Sequence, residues 1–90
     1  MFSPSWEWKM IDPNIAREYL ATGDNRRLDN EKVKRYARDM QEGKWVKSGI
    51  PAPLEIDEGG RLLDGYHRLN ALIMANVALL FLVMHYAAQE

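Results

Sequence analysis

Residues 62 to 72, "LLDGYHRLNAL", set Asp64, Gly65, Tyr66, His67 and Arg68 in a row between two apolar flanks. Such a string can do one kind of chemistry. A helix start carries unpaired amides and a partial positive charge of about half an elementary unit, so it attracts carboxylates and phosphates. A glycine there lets backbone approach an anion, and an arginine can chelate two of its oxygens. A second string, "GDNRRL", places Arg26 and Arg27 just before another helix start. Basic groups in a first helical turn oppose the helix dipole by a few tenths of a kcal/mol, unless an anion or a capping carboxylate sits among them. Two readings follow for Asp64 to Arg68. In one, Asp64 caps the helix, Gly65 relieves a tight strand-to-helix turn and Arg68 pairs with Asp64. In the other, Gly65, Tyr66, His67 and Arg68, with Arg26 and Arg27, hold a phosphate, and Asp64 caps the helix or steers a metal ion. The string alone is too short to separate them.

The elements that must position these groups are well marked. "WEWKMI" alternates Trp6, Trp8 and Met10 with Glu7 and Lys9, the period of a strand with one buried face, and the tryptophans are expected in the core or at its rim. "DPNIAREYLATG" offers Asp12 as cap, Pro13 at the first helical position and Gly23 as a stop. "DNEKVKRYARDMQEG" repeats the grammar with Asp29 as cap and Gly43 as terminator. Gly49, Pro51 and Pro53 suit a loop, and "PLEI" with "RLL" across Glu58-Gly59-Gly60 suits a hairpin. "YHRLNALIMAN" reads as a third helix ending at Asn76, and "VALLFLVMHY" as a buried strand carrying His85. The predicted core is Val33, Tyr36, Ala37, Met40, Leu69, Leu72, Ile73, Leu80, Leu82 and Met84. The order strand, helix, helix, hairpin, helix, strand predicts an α+β domain, a small mixed sheet covered by about three helices.

Composition narrows the function. Ninety residues suit a single domain, 1–90, with one modest core. The absence of cysteine removes disulfides, thiolate nucleophiles and cysteine-based metal sites, and fits a reducing compartment. Net charge is −1, from 12 Lys and Arg against 13 Asp and Glu, so bulk charge does not favour coating of nucleic acid. The longest apolar run, Val77 to Met84, is far short of the roughly 20 residues needed to span a bilayer. The expected setting is the cytoplasm, without membrane attachment. The "WEWKM" strand, if it lies at a sheet edge, invites pairing with a second copy, so a monomer or weak dimer is expected.

"NRRLDNEKVKRYARDMQEGKW", followed by "IDEGGRLLDGYHRLNALIMANV" and "LLFLV", resembles the amino-terminal domain of the ParB and sulfiredoxin superfamily, especially the short stand-alone ParB-like proteins of phages and prophages. The likeness runs from Ile11 to Val83. It implies a ParB N-terminal, sulfiredoxin-like fold and a bacterial host cell. It also implies that Arg26 is the arginine of a loop that meets a nucleotide, and that Gly65, His67 and Arg68 form the turn that wraps its phosphates. ATP or CTP, with Mg²⁺, is the ligand this implies. The departures are equally informative. Sulfiredoxins carry a cysteine where this chain has Tyr66, so sulfinic-acid reductase activity is excluded. Partition ParB proteins continue into a helix-turn-helix domain and a further nucleotide-contacting segment; neither is found in these residues, and no sequence-specific DNA binding is expected.

The expected function is therefore binding of a nucleotide or phosphate at the DGYHR helix start and the NRR loop. One alternative is a mobile-element protein that binds and inhibits a host or defence protein, for instance through the basic helix face Lys32, Lys34, Arg35 and Arg38, which otherwise is simply solvated. Another is a metal-dependent nuclease or a phosphotransferase using a nucleoside triphosphate. For that alternative Asp64 is the one acid inside the motif, no compact set of metal-binding carboxylates is visible, and no catalytic residue is assigned.

Overall fold

The computed structural model describes residues 4–24, 26–45 and 52–86. Its elements are β1 (Ser5–Ile11), α1 (Pro13–Thr22), α2 (Asn30–Gln41), β2 (Leu54–Ile56), β3 (Leu62–Asp64), α3 (Tyr66–Ala75) and β4 (Leu79–His85). The four strands form one sheet in the order β1-β4-β2-β3. β4 pairs antiparallel with β1 and parallel with β2, and β2 pairs antiparallel with β3, so the sheet is mixed. The α+β layout with three helices is the one expected.

Local signals account for most element ends. Asp12 accepts from the Ile15 amide at 2.8 Å and Pro13 opens α1. Asp29 Oδ1 accepts from the amides of Glu31 and Lys32 at 3.1 and 3.2 Å, capping α2. Gly43, with φ +71°, ends the chain's run out of α2, and Asn76 closes α3 in the left-handed conformation at φ 55°. The hairpin from β2 to β3 turns over Asp57, whose Oδ1 accepts from the amides of Gly59 and Arg61 at 2.9 and 2.8 Å. Gly49 and Pro51 of the expected loop lie outside the described residues.

All three helices lie on one face of the sheet. Ile11, Leu54, Leu62, Leu69, Leu72, Phe81 and Val83 are fully buried between the layers, joined by Val33, Ala37 and Met40 of α2 and Ala16 of α1. Val33, Ala37, Met40, Leu69 and Leu72 are thus core residues as expected; Met84 is buried, but on the other face of the sheet, opposite Trp6, while Tyr36, Ile73 and Leu82 are only half buried.

The two long strands present the opposite face to that expected. Trp6, Trp8 and Met10 alternate as a strand should, but they are 54%, 54% and 55% exposed, and Leu80 beside them is 46% exposed. They stand on the sheet face that carries no helix among the described residues. Alternation shows that a strand has an apolar side, not which side meets the helices. In β4 both parities are apolar, and Phe81 and Val83, not Leu80 and Leu82, point to the helices.

Candidate functional site

The starts of α2 and α3 meet. The backbone amide of Asp29 donates to His67 Nε2 at 3.1 Å, so that ring nitrogen is an acceptor and the imidazole proton resides on Nδ1. Beside this junction opens a cleft of about 430 Å³, lined by Lys32, Tyr36, Asp39, Trp45, Ala52 and the whole stretch from Asp64 to Arg68. Its volume lies in the range of small-molecule sites.

α3 begins differently from its two neighbours. Its N-cap residue is Gly65, at φ +121°, and no side chain among the described residues accepts from the first-turn amides. The first intrahelical bond is donated by Leu69 to Gly65 O at 2.9 Å, which leaves the amides of Tyr66, His67 and Arg68 without helical acceptors. Asp64 is therefore not a cap, contrary to one expectation; its carboxylate lies 3.6 Å from Arg68 Nη2. Only glycine suits position 65, because φ is positive and a Cβ would stand 2.4 Å from Leu54 Cδ2.

Arg68 is tied down rather than free. Its side chain is 11% exposed, Nη2 donates to Pro53 O at 3.2 Å, and Nη1 donates to Ala52 O. Burial pushes this guanidinium below the usual arginine value, and Asp64 partly offsets the shift. The residue braces the segment leading into β2 against the start of α3. Tyr66 is likewise a bolt: buried to 5% exposure, its hydroxyl donates to Leu62 O at 2.8 Å and accepts from the Asp24 amide at 2.9 Å.

Arg26 stands on another side of this bolt. Its guanidinium carbon lies 4.5 Å from the centre of the Tyr66 ring, and Nη2 reaches toward Leu63 O at 3.5 Å. It borders a smaller cleft of about 210 Å³, together with Leu20, Asp24, Leu28, Tyr66 and Asn70. Arg27 is exposed and lines neither cleft. The fold thus gathers Asp64 to Arg68 into one cleft, and leaves Arg26 and Arg27 out of it.

Five lining residues, Lys32, Tyr36, Asp39, Trp45 and Ala52, are not among the site residues expected from the sequence. Lys32, Tyr36 and Asp39 stand on one face of α2, at i, i+4 and i+7, a spacing that a search for polar helical stripes would have found. The apolar spacing of α2 places Tyr36 in the core instead, and the side chain is half buried. Lys32 Nζ lies 5.6 Å above the Tyr36 ring, and Tyr36 and Trp45 meet edge to face at 5.1 Å. Trp45 Nε1 is buried without a hydrogen-bond partner among the described residues. No group of three or more His, Asp or Glu side chains converges on a shared point that could hold a metal ion among the described residues. No described helix is long and apolar enough to cross a membrane.

No family model matches the chain, and no curated protein matches it. Among solved structures it is similar to a Pnob8-like ParB-N domain, at a TM-score of 0.56 and 17% sequence identity over 99% of this chain. The chain spans 33% of the length of that one. At this identity the likeness concerns architecture, and it gives the chain a ParB N-terminal-like fold.

Proposed function

We propose that the cleft at the start of α3 binds a phosphate-bearing ligand, a nucleoside triphosphate such as ATP or CTP, in a ParB-like protein of phage or prophage type. The observation that carries this reading is the uncapped first turn of α3, opening into a cleft of about 430 Å³ beside Lys32. The amides of Tyr66, His67 and Arg68 supply donors aimed along the helix axis, where the dipole favours negative charge. Lys32 supplies the mobile cation, while the braced Arg68 adds fixed positive charge without a bidentate clamp. Tyr36 and Trp45 offer aromatic surface for a base. A Mg²⁺ ion accompanying the phosphates needs only one or two carboxylates, and Asp39 and Asp64 are those in the cleft.

Calorimetric titration with ATP, CTP, GTP and inorganic phosphate, each with and without Mg²⁺ and alongside a melting curve, tests the proposal. Saturable heat with a rise in Tm for at least one ligand is expected. No heat and no thermal shift with any of them sinks it. Assaying the same mixtures for released phosphate or nucleoside diphosphate separates binding alone from turnover.

A further inference from the structure

Strand β1 lies at the edge of the sheet, so among the described residues one side of its backbone has no strand beside it. Its outer face, with Trp6, Trp8 and Met10 about half exposed and Leu80 adjoining, is an apolar patch on the order of 400 Å². Unprotected edges of this kind pair with other strands. The sequence of β1 also selects a partner.

Consider two β1 strands laid antiparallel about a two-fold axis. Centred on Trp8, the pairing sets Trp8 opposite itself, Trp6 opposite Met10, and Glu7 opposite Lys9 on both sides of the axis. All apolar members then share the outer face and both charged pairs are of opposite sign. Centred on Glu7 or on Lys9, the same strand sets like charge against like. The strand is thus self-complementary in one register. Neither charge is fully committed within the fold: Lys9 Nζ donates to Tyr19 Oη at 3.1 Å and keeps two further donors, and Glu7 Oε2 lies 3.2 Å from His85 Nε2 without an aligned hydrogen bond. Pairing edge to edge leaves most of this face open and brings together only the two strand edges and their facing side chains, which fits a reversible dimer.

We infer that β1 is a homodimerisation edge: two copies join antiparallel through Ser5–Ile11, in register about Trp8, to form one continuous eight-stranded sheet. This inference is independent of the ligand cleft, which lies on the helix side.

Sedimentation velocity over a wide concentration range tests it. The wild type should pass reversibly from monomer to dimer. Glu7→Lys and Lys9→Glu, each of which sets like charges opposite, should weaken the dimer by about tenfold or more. Mixed together, the two variants should form a heterodimer more readily than either forms a homodimer, because every charged pair is again of opposite sign. Amide exchange on the wild type gives a readout that needs no variant: protection across Ser5–Ile11 should rise with concentration. A mass that stays monomeric throughout, a dimer indifferent to both substitutions, or variants that fail to complement one another would each overturn the register and the edge.

Discussion

Asp29 and His67, 38 residues apart, are joined by a hydrogen bond of 3.1 Å from a backbone amide to an imidazole nitrogen, and this bond sets the starts of α2 and α3 side by side. It makes His67 a spacer between the two walls of the cleft. Replacing His67 by Ala removes the acceptor and should lower stability by about 0.5–1.5 kcal/mol. His67→Gln keeps an acceptor oxygen and should recover part of the loss. Urea denaturation of the three proteins checks this, and equal midpoints for Ala and Gln would count against the bond.

Gly23 is required by Tyr66 and not by its own backbone. Its φ of −95° is open to any residue, but a Cβ there would stand 2.1 Å from Tyr66 Oη. Gly23→Ala should therefore displace Tyr66 from Leu62 O and the Asp24 amide, with a loss of about 1–3 kcal/mol. Tyr66→Phe should cost less, and the double variant should lose less than the sum of the two, since they disturb the same contact. Additivity in a double-mutant cycle would show that the two residues act separately.

Arg68→Ala should be destabilising, by about 1.5–3 kcal/mol, because it strips donors from the carbonyls of Ala52 and Pro53. A pure anion ligand in that position would give the opposite result, unchanged stability with lost binding. Arg68→Lys retains the charge but not the fork that meets two carbonyls, and should restore stability only in part. Thermal melts without ligand distinguish these outcomes.

How far the sequence could be read is clear from β1 and β4. Caps and turn residues marked every helix, because Asp12, Asp29, Gly43 and Asn76 act through backbone a few positions away. The direction of the sheet's faces was not legible, since it depends on where three helices land. Phe81 and Leu80 are neighbours of similar character in the chain, yet one is fully buried and the other 46% exposed. Phe81→Ala should cost about 3–5 kcal/mol and Leu80→Ala well under 1 kcal/mol. The site shows the same division. Gly65 to Arg68 stood out as a string, but the role of Arg68 rests on Ala52 and Pro53, and Asp39 and Trp45 enter the cleft only through the packing of α2 against α3.

The positive charge at the cleft divides between Arg68, which carbonyls of the chain hold in place, and Lys32, whose ammonium is less tied. Lys32 is half buried on α2, four residues before Tyr36, and among the described residues no contact of its ammonium bears on the fold beyond its position above that ring. Lys32→Ala should thus leave the melting temperature of the unliganded protein nearly unchanged. In a cleft that binds phosphate it should weaken a nucleoside triphosphate by about tenfold, the value of one charge-assisted contact, and weaken the matching nucleoside much less. Gly65→Ala should instead damage both fold and binding, through the positive φ and the collision with Leu54. Titrating wild type, Lys32→Ala and Gly65→Ala with the triphosphate and its nucleoside decides the matter: if Lys32→Ala binds the triphosphate as tightly as wild type, the phosphates do not lie against α2.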